Sequence, residues 1–316
     1  MANVTVRSGL HHQPRKSPLN SFREQIAIQI MVGLGMVWMF VFCYLPFSGL
    51  YIAFSDYRVS KPIYEAPFVG LKYFREFVTD SAVPNVLFNT LGLSFLGLTI
   101  GFLCPILFAL LLNEMAGRRF KRFVQTISYL PHFISWVVLG GMLISWTGEF
   151  GLINEVLRNL GLIKTPIYLL GDPKYFWGVS VISNIWKEVG WNAIIYIAAI
   201  AGINPELYEV AHIEGANRLQ RIRYITLPCI KGTIAILFTL SAAYLLNSNF
   251  SQIFVLNNAL NTSRSMVLDL YTYRIGIKLG RYSYATAVGL MQSAVALLLW
   301  LVSNRISRRL TGESLL

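Results

Sequence analysis

The 316-residue sequence combines an apolar composition with few charged residues. Hydrophobic residues make up 55% of it, charged residues only 13%, and the mean hydropathy is +0.54. Soluble domains carry about 25% charged residues, so this composition excludes an ordinary soluble protein and favours a membrane protein. The net charge of +12 is then better explained by basic residues that flank transmembrane helices than by a nucleic-acid partner.

Residues 1–25 are polar and lack the short apolar core of a cleavable signal peptide, so we expect a cytoplasmic tail. Apolar stretches follow that are long enough to cross the hydrocarbon core, which requires about 20 helical residues. They cover 26–54, 86–112, 123–146, 175–201, 229–256 and 284–302. The fourth is interrupted by Trp186-Lys187-Glu188 and the fifth by Asn247-Ser248-Asn249. We predict an all-α membrane protein with six spans over residues 26–304 and a cytoplasmic tail over 305–316.

The distribution of basic residues indicates the sidedness of the chain. Bases gather in the N-terminal tail, in the short link GRRFKR at 117–122, around 218–223 and at the end of the chain. We therefore expect both termini and these segments to be cytoplasmic. The opposite loops, at about 55–85, 148–174 and 257–283, form either a docking surface for an external partner or simple connections.

The sequence contains no pattern typical of a catalytic or metal site. Its three cysteines lie within or against apolar runs, and its four histidines form no HExxH pair. It also has no G-x-S-x-G and no G-x-x-x-x-G-K-[ST] phosphate loop. We therefore predict neither a membrane-embedded enzyme nor an ATPase.

A charged segment, YEVAHIEGANRLQRIRYITLPCI (208–230), lies between the fourth and fifth spans. Asn204 can cap a helix whose first residue is Pro205, and Gly215 can end that helix in a left-handed conformation. A second helix is expected next, and Pro228 then marks the entry into the fifth span. The prediction is a helical hairpin with an acidic first helix and a basic second one. The alternative is an amphipathic hairpin on the membrane surface, which the acidic first helix disfavours.

The spacing within this segment resembles the EAA loop of binding-protein-dependent ABC importers. The family pattern is E-A-A, three residues, G, nine residues, I-x-L-P, and this chain has E-V-A, Gly215 and I-T-L-P at that spacing. FVGLKYFREF (68–77), ISYLPHFIS (127–135) and NSNFSQIFVLNNAL (247–260) are likewise similar to sugar-importer permeases, including the alginate-type branch. The resemblance covers about residues 25–310 and implies the type I, MetI-like permease fold.

The resemblance implies a permease subunit of an ATP-driven importer of an oligosaccharide or polysaccharide, in the bacterial inner membrane. The implied partners are a second permease chain, a dimer of ATPase subunits, an extracytoplasmic solute-binding protein and membrane lipid, without nucleic acid. No cofactor is expected in this chain, because ATP and Mg²⁺ would bind to the partner ATPase. The residues implied in coupling to that ATPase are Glu209, Ala211, Glu214, Gly215, Ala216, Leu227 and Pro228.

Polar side chains inside membrane spans are costly unless they line a water-filled path or contact a partner. The residues predicted to line the substrate pathway are Tyr244, Asn247, Asn249, Gln252, Lys187 and Glu188. Interhelical hydrogen bonding is the alternative for the amides. Lys187 and Glu188 either line the pathway, where Lys187 would suit an acidic substrate, or hold partners on neighbouring spans. For the whole chain, the alternative is an ion-coupled secondary transporter of a small polar solute, which does not explain the EAA spacing.

Overall fold

The computed structural model describes residues 25–311, with side chains up to residue 309. Most of the predicted N-terminal tail (1–24) and the end of the C-terminal tail (312–316) lie outside the described residues. Between residues 25 and 311 the secondary structure is helical, apart from one isolated antiparallel bridge between Ser55 and Phe68. The prediction of an all-α protein is therefore confirmed.

The α-helices are numbered here in chain order. They are α1 (Ile26–Met39), α2 (Lys72–Thr79), α3 (Val83–Leu96), α4 (Phe102–Glu114), α5 (Arg118–Tyr129), α6 (Trp136–Thr147), α7 (Leu152–Asn159), α8 (Pro173–Ala201), α9 (Pro205–Ile213), α10 (Arg218–Arg221), α11 (Leu227–Ala243), α12 (Phe250–Leu256), α13 (Thr262–Ser265), α14 (Leu268–Tyr273) and α15 (Tyr282–Thr311). Shorter 3₁₀ and π-helical turns connect several of them.

Among the described residues, five helical segments are long and apolar enough to cross a membrane. They are Ile26–Phe54, Val83–Glu114, Trp136–Asn159, Arg218–Ala243 and Tyr282–Arg309. A sixth is obtained when α8 and α9, which are bent by 72° relative to each other, are taken as one broken span. This number agrees with the six predicted spans.

Two π-helical turns let prolines lie within long helices. The turn Gly97–Gly101 joins α3 to α4, which contains Pro105, and the turn Ile222–Thr226 joins α10 to α11 just before Pro228. A proline has no N–H to donate to the carbonyl four residues earlier, and a π turn redistributes the hydrogen bonds at that point. Arg218–Ala243 is therefore one continuous helical segment, and Pro228, predicted to mark the entry into the fifth span, lies in the first turn of α11.

The structure also corrects the third and fifth spans, which are not single α-helices. After α5, a 3₁₀ turn over Leu130–Phe133 is followed by extended backbone, and α6 begins anew where the Ser135 hydroxyl accepts a hydrogen bond from the Val138 amide at 3.3 Å. In the fifth span, α11 ends at Ala243 and α12 begins only at Phe250. Polar residues that bond the backbone cause both breaks, because they compete with helical hydrogen bonding.

The chain divides into two compact units between Tyr51 and Ile52. Within the second unit, α8 runs unbroken through Lys187 and Glu188 and contributes to two of three buried clusters. One cluster joins α6, α8, α12 and α14, and another joins α4, α8 and α11. The remaining cluster joins α2, α3, α14 and α15. The second and fifth predicted spans thus pack on the fourth, which positions the cavity described next.

Candidate functional site

A cavity of about 440 Å³ lies between α3, α4, α8 and the break that follows α11. Its polar lining consists of Ser94, Ser180, Asn184, Asn192, Ser241, Tyr244, Asn247, Ser248, Asn249 and Gln252. All lining residues belong to the described part of the chain, and none of them is an Asp, Glu, Lys or Arg. The cavity therefore offers neutral amide and hydroxyl groups, which both donate and accept hydrogen bonds.

Three of the predicted pathway residues, Tyr244, Asn247 and Asn249, line this cavity with exposed side chains. They are presented by the irregular backbone between α11 and α12. The Asn249 side chain caps α12 by accepting a hydrogen bond from the Gln252 amide at 3.3 Å, and its Nδ2 lies 3.4 Å from Oδ1 of Asn184. The structure thus brings these residues together at one surface, with α8 on the opposite side.

Gln252 also borders the cavity, but its side chain is 3% exposed and bound within the protein. Its Nε2 donates to the carbonyl oxygen of Ser180 at 2.7 Å and contacts the Ser183 hydroxyl at 3.0 Å. Since these bonds join α12 to α8, the geometry of Gln252 matches the alternative of interhelical hydrogen bonding.

Lys187 and Glu188 are not among the residues that line the cavity. The Lys187 ammonium is buried, lies 3.1 Å from Glu188 Oε1 and donates to the carbonyl oxygen of His132 at 2.5 Å. Glu188 Oε2 is 2.7 Å from Nδ1 of His132, whose ring stacks on Trp191 with a centroid distance of 4.2 Å. Of the two roles left open by the sequence, the geometry of Lys187 and Glu188 matches that of partners on a neighbouring span. His132 was not predicted, and its only signal was a polar residue beside Pro131.

The first helix of the charged hairpin begins and ends where the sequence predicts. Pro205 begins α9, and the Asn204 side chain accepts a hydrogen bond from the Glu206 amide at 3.1 Å. Gly215 has a φ of 77°, in the left-handed region. The backbone N–H of Ala216 donates to the carbonyl oxygen of Ala211 at 2.8 Å, and the N–H of Gly215 donates to the carbonyl oxygen of His212 at 3.1 Å. These two hydrogen bonds form a Schellman motif.

The left-handed φ gives a physical reason for the glycine at position 215. A second cap follows at once, because Asn217 and Gln220 form a reciprocal capping box at 2.9 and 2.8 Å. Its sequence signal, a capping residue followed three positions later by Gln, was not used in the prediction. The Tyr208 hydroxyl lies 2.9 Å from the Thr226 hydroxyl and holds the two arms together.

The outer surface of the hairpin is apolar and acidic at the same time. Leu207, Val210, Ile213 and Leu219 are exposed, Ile213 to 84%. Glu209 and Glu214 are exposed as well and have no salt bridge in the described part of the chain. Leu227 is half-buried and Pro228 exposed, both at the start of α11. A group of exposed apolar side chains on one turn is typical of a protein-binding surface.

A second polar cluster, not predicted from the sequence, ties the loop after the first span to α14 and α15. Asp80 Oδ2 accepts a hydrogen bond of 2.5 Å from the Tyr271 hydroxyl, which lies 2.8 Å from that of Tyr284. The Tyr271 hydroxyl and the Ala82 amide lower the pKa of Asp80. Nearby, burial and a 2.7 Å bond to Asp56 raise the pKa of Tyr73 to about 12. The lowered pKa keeps Asp80 charged at neutral pH, and its carboxylate therefore fixes this loop.

No group of three or more His, Cys, Asp or Glu residues within the described ranges could hold a metal ion. The family model for the "Binding-protein-dependent transport system inner membrane component" matches residues 82–312. That range includes the cavity, the His132–Lys187–Glu188 cluster and the hairpin.

One relative and two solved structures extend this match. The polygalacturonan/rhamnogalacturonan transport system permease protein YteP of Bacillus subtilis is 39% identical over 96% of this chain and 94% of its own length. A bacterial ABC transporter that imports the acidic polysaccharide alginate has a similar structure, with TM-score 0.85, 37% identity and coverage of 93% and 99% of the two chains. The alginate transporter bound to a periplasmic protein that carries an alginate pentasaccharide gives TM-score 0.86, 36% identity and coverage of 94% and 99%.

Both the family model and these relatives cover most of the chain, and the helical architecture agrees with the solved importers. The chain is therefore a multi-pass inner-membrane protein and a transport permease, not an enzyme. It belongs to the family of inner-membrane components of binding-protein-dependent ABC transport systems.

Proposed function

We propose that this chain forms half of a transmembrane pathway for an acidic oligosaccharide or polysaccharide, delivered by an extracytoplasmic solute-binding protein. The observation that carries the proposal is the rigid hairpin with an exposed apolar and acidic surface. The similarity to the alginate and polygalacturonan systems supports the choice of substrate class.

The hairpin couples the membrane domain to a partner ATPase, which binds ATP and Mg²⁺. Its exposed apolar side chains, including Val210 and Ile213, would lose contact with water in a groove on that subunit, at about 25 cal/mol per Å² of apolar surface. Glu209 pairs with a basic group of the ATPase. Because α10 continues into α11 without a break, movement of the hairpin is transmitted directly to the fifth span.

The cavity forms this chain's share of the pathway, and a second permease chain supplies the other half. Asn247 and Asn249 hydrogen-bond sugar hydroxyls, and Tyr244, which is 64% exposed, packs against a pyranose face. Neutral amides suit a moving substrate, because they exchange hydrogen bonds with many hydroxyls without holding any one group strongly. Gln252 supports the lining by holding α12 on α8.

We also propose that both termini and the hairpin are cytoplasmic, and that residues 26–304 form the transmembrane permease domain between two tails. The loops on the other side contact the solute-binding protein, and the polar cluster around Asp80 keeps them in place.

The coupling role is tested by Glu209→Arg and Gly215→Pro in the assembled importer. Proline cannot adopt the φ of 77° at Gly215 and has no N–H to donate to His212. We expect both variants to lower uptake or co-purification of the ATPase while the permease pair still assembles in the membrane. Glu206→Gln, an acid removed from the same helix, serves as the control and leaves uptake unchanged. Normal uptake and normal assembly in both variants would refute the docking role.

A further inference from the structure

The link between the second and third spans leads into a helix with several basic residues in its first turns. Arg118, Arg119 and Arg122 are exposed on the first turns of α5. None of them forms an ion pair within the described residues. Like charges three and four positions apart repel on a helix surface, and the helix dipole disfavours cations in the first turn. The free surface is therefore electrostatically unfavourable.

The three arginines surround one open groove. Arg118, Arg119, Arg122, Phe123 and Thr126 line a groove of about 750 Å³. Such a groove has room for a group of several heavy atoms, and guanidinium groups bind phosphate oxygens through two parallel N–H donors. The groove thus offers charge and geometry that suit a phosphate ester.

An apolar stripe runs along the same helix beside the groove. Phe120, Phe123 and Ile127 are all exposed, to between 50% and 60%. They follow one another at steps of three and four and so share one face of α5. Another side of α5 packs on α8, where the Ser128 carbonyl oxygen lies so close to Gly190 that a Cβ there would meet it. One face of α5 therefore contacts protein, the next is apolar and exposed, and the third is basic.

This arrangement is the pattern of a helix at the boundary between hydrocarbon and headgroups. The apolar stripe fits acyl chains, and the adjoining cations fit the negatively charged layer above them. Glu114, only four residues before Arg118, ends the second span, which sets α5 at the edge of the hydrocarbon core. A protein partner would cover the stripe equally well, but the groove of three arginines selects an occupant with concentrated negative charge.

We propose that the groove of Arg118, Arg119 and Arg122 binds the phosphate headgroup of an anionic phospholipid, with its acyl chains on the stripe of Phe120, Phe123 and Ile127. This site is separate from the cavity and from the hairpin. Its occupant neutralises the repulsion among the arginines and holds α5, which leads into the break at His132, against the membrane surface.

The test compares lipid binding by the assembled importer in nanodiscs of phosphatidylglycerol or phosphatidylcholine. In the wild-type protein we expect retained phosphatidylglycerol to exceed retained phosphatidylcholine on mild detergent extraction, and 1 M salt to reduce the excess. Arg118→Gln, Arg119→Gln and Arg122→Gln together should weaken phosphatidylglycerol binding about a hundredfold, since each cation near an anionic surface contributes about fivefold. The control is the triple glutamine variant of Arg305, Arg308 and Arg309, which are also exposed. It removes the same number of positive charges at another place and should keep more of the binding.

Lysines at the three α5 positions form a second variant, which keeps the charge and should retain most of the binding. The proposal is overturned if the wild type shows no preference for phosphatidylglycerol. It is also overturned if the control loses as much binding as the α5 variant. Loss of the ATPase or of the second permease from the α5 glutamine variant in both lipids would assign the surface to a protein partner and likewise overturn it.

Discussion

The buried ammonium of Lys187 lies 2.5 Å from the main-chain carbonyl oxygen of His132, at the point where the helix of the third span is broken. A helix end leaves carbonyl groups without intrahelical partners, and Lys187 supplies a donor to one of them. Glu188 compensates the charge at 3.1 Å. The pair therefore joins α8 to the break between α5 and α6.

Lys187→Met should destabilise the protein without changing its choice of substrate, because Lys187 does not line the cavity. Removing one member of a buried ion pair costs about 3–5 kcal/mol, and the value expected here lies at the lower end because Glu188 is partly exposed. Thermal unfolding of the purified complex measures the loss. Lys174→Met, an exposed cation at the start of α8, is the control with little change. An unaltered melting temperature together with an altered substrate preference would instead indicate that Lys187 lines the substrate pathway.

Gly190→Ala should separate α8 from the third span. A Cβ at residue 190 would lie 2.1 Å from the carbonyl oxygen of Ser128, which is backbone and cannot rotate away. Overpacking of this kind costs about 1–3 kcal/mol. Gly178→Ala is a matched control on the same helix, with no atom within 4 Å of the new Cβ, and alanine's higher helix propensity should stabilise it slightly. Equal melting temperatures for the two variants would contradict the packing described here.

Asp80→Asn should lower stability at neutral pH, and the difference from the wild type should disappear in acid. The Tyr271 hydroxyl lowers the pKa of Asp80, so the folded protein favours the charged carboxylate. That contribution is fully present above the ordinary Asp pKa of about 3.9 and is lost as the pH falls through the lowered value. Melting temperatures of the two proteins between pH 7 and pH 2.5 should therefore converge below about pH 4. A constant difference over this range would be inconsistent with a lowered pKa.

Asn249 has two separable roles, a helix cap and a group in the cavity. Asn249→Asp keeps an acceptor for the Gln252 amide, whereas Asn249→Ala loses it and should cost about 1 kcal/mol. Both variants remove the neutral amide donor, so uptake of an acidic saccharide should fall in both, while the melting temperature falls only in the alanine variant. If Asn249→Asp transports at the wild-type rate, Asn249 acts as a helix cap and has no role in binding substrate.

Much of the fold follows from local patterns in the sequence. The caps at Asn204 and Gly215 are set by adjacent residues, and the apolar length of α8 fixes its ends near Asp172 and Gly202. The break at Ile134–Ser135 was not predicted, because the apolar run of the third span continues through it.

The candidate site was less predictable than the spans. Polar residues in the fifth span stand out because placing a polar side chain in a membrane costs free energy. This cost does not distinguish a residue that lines a pathway from one that is hydrogen-bonded to a neighbouring helix. Only the packing of α12 on α8 distinguishes Asn249, whose side chain is exposed, from Gln252, whose side-chain amide is hydrogen-bonded within the protein. The bond between Tyr271 and Asp80 spans 191 positions, and neither residue has a local signal for the other.

We propose that this permease imports saccharide only when a partner ATPase drives it. The most direct measurement is uptake of a labelled acidic oligosaccharide into proteoliposomes that contain this chain, the second permease and the ATPase, with the loaded solute-binding protein added outside. We predict uptake that requires ATP on the hairpin side of the membrane and stops when the ATPase subunit is omitted. Uptake by this chain alone on an ion gradient, without ATP, would contradict the account.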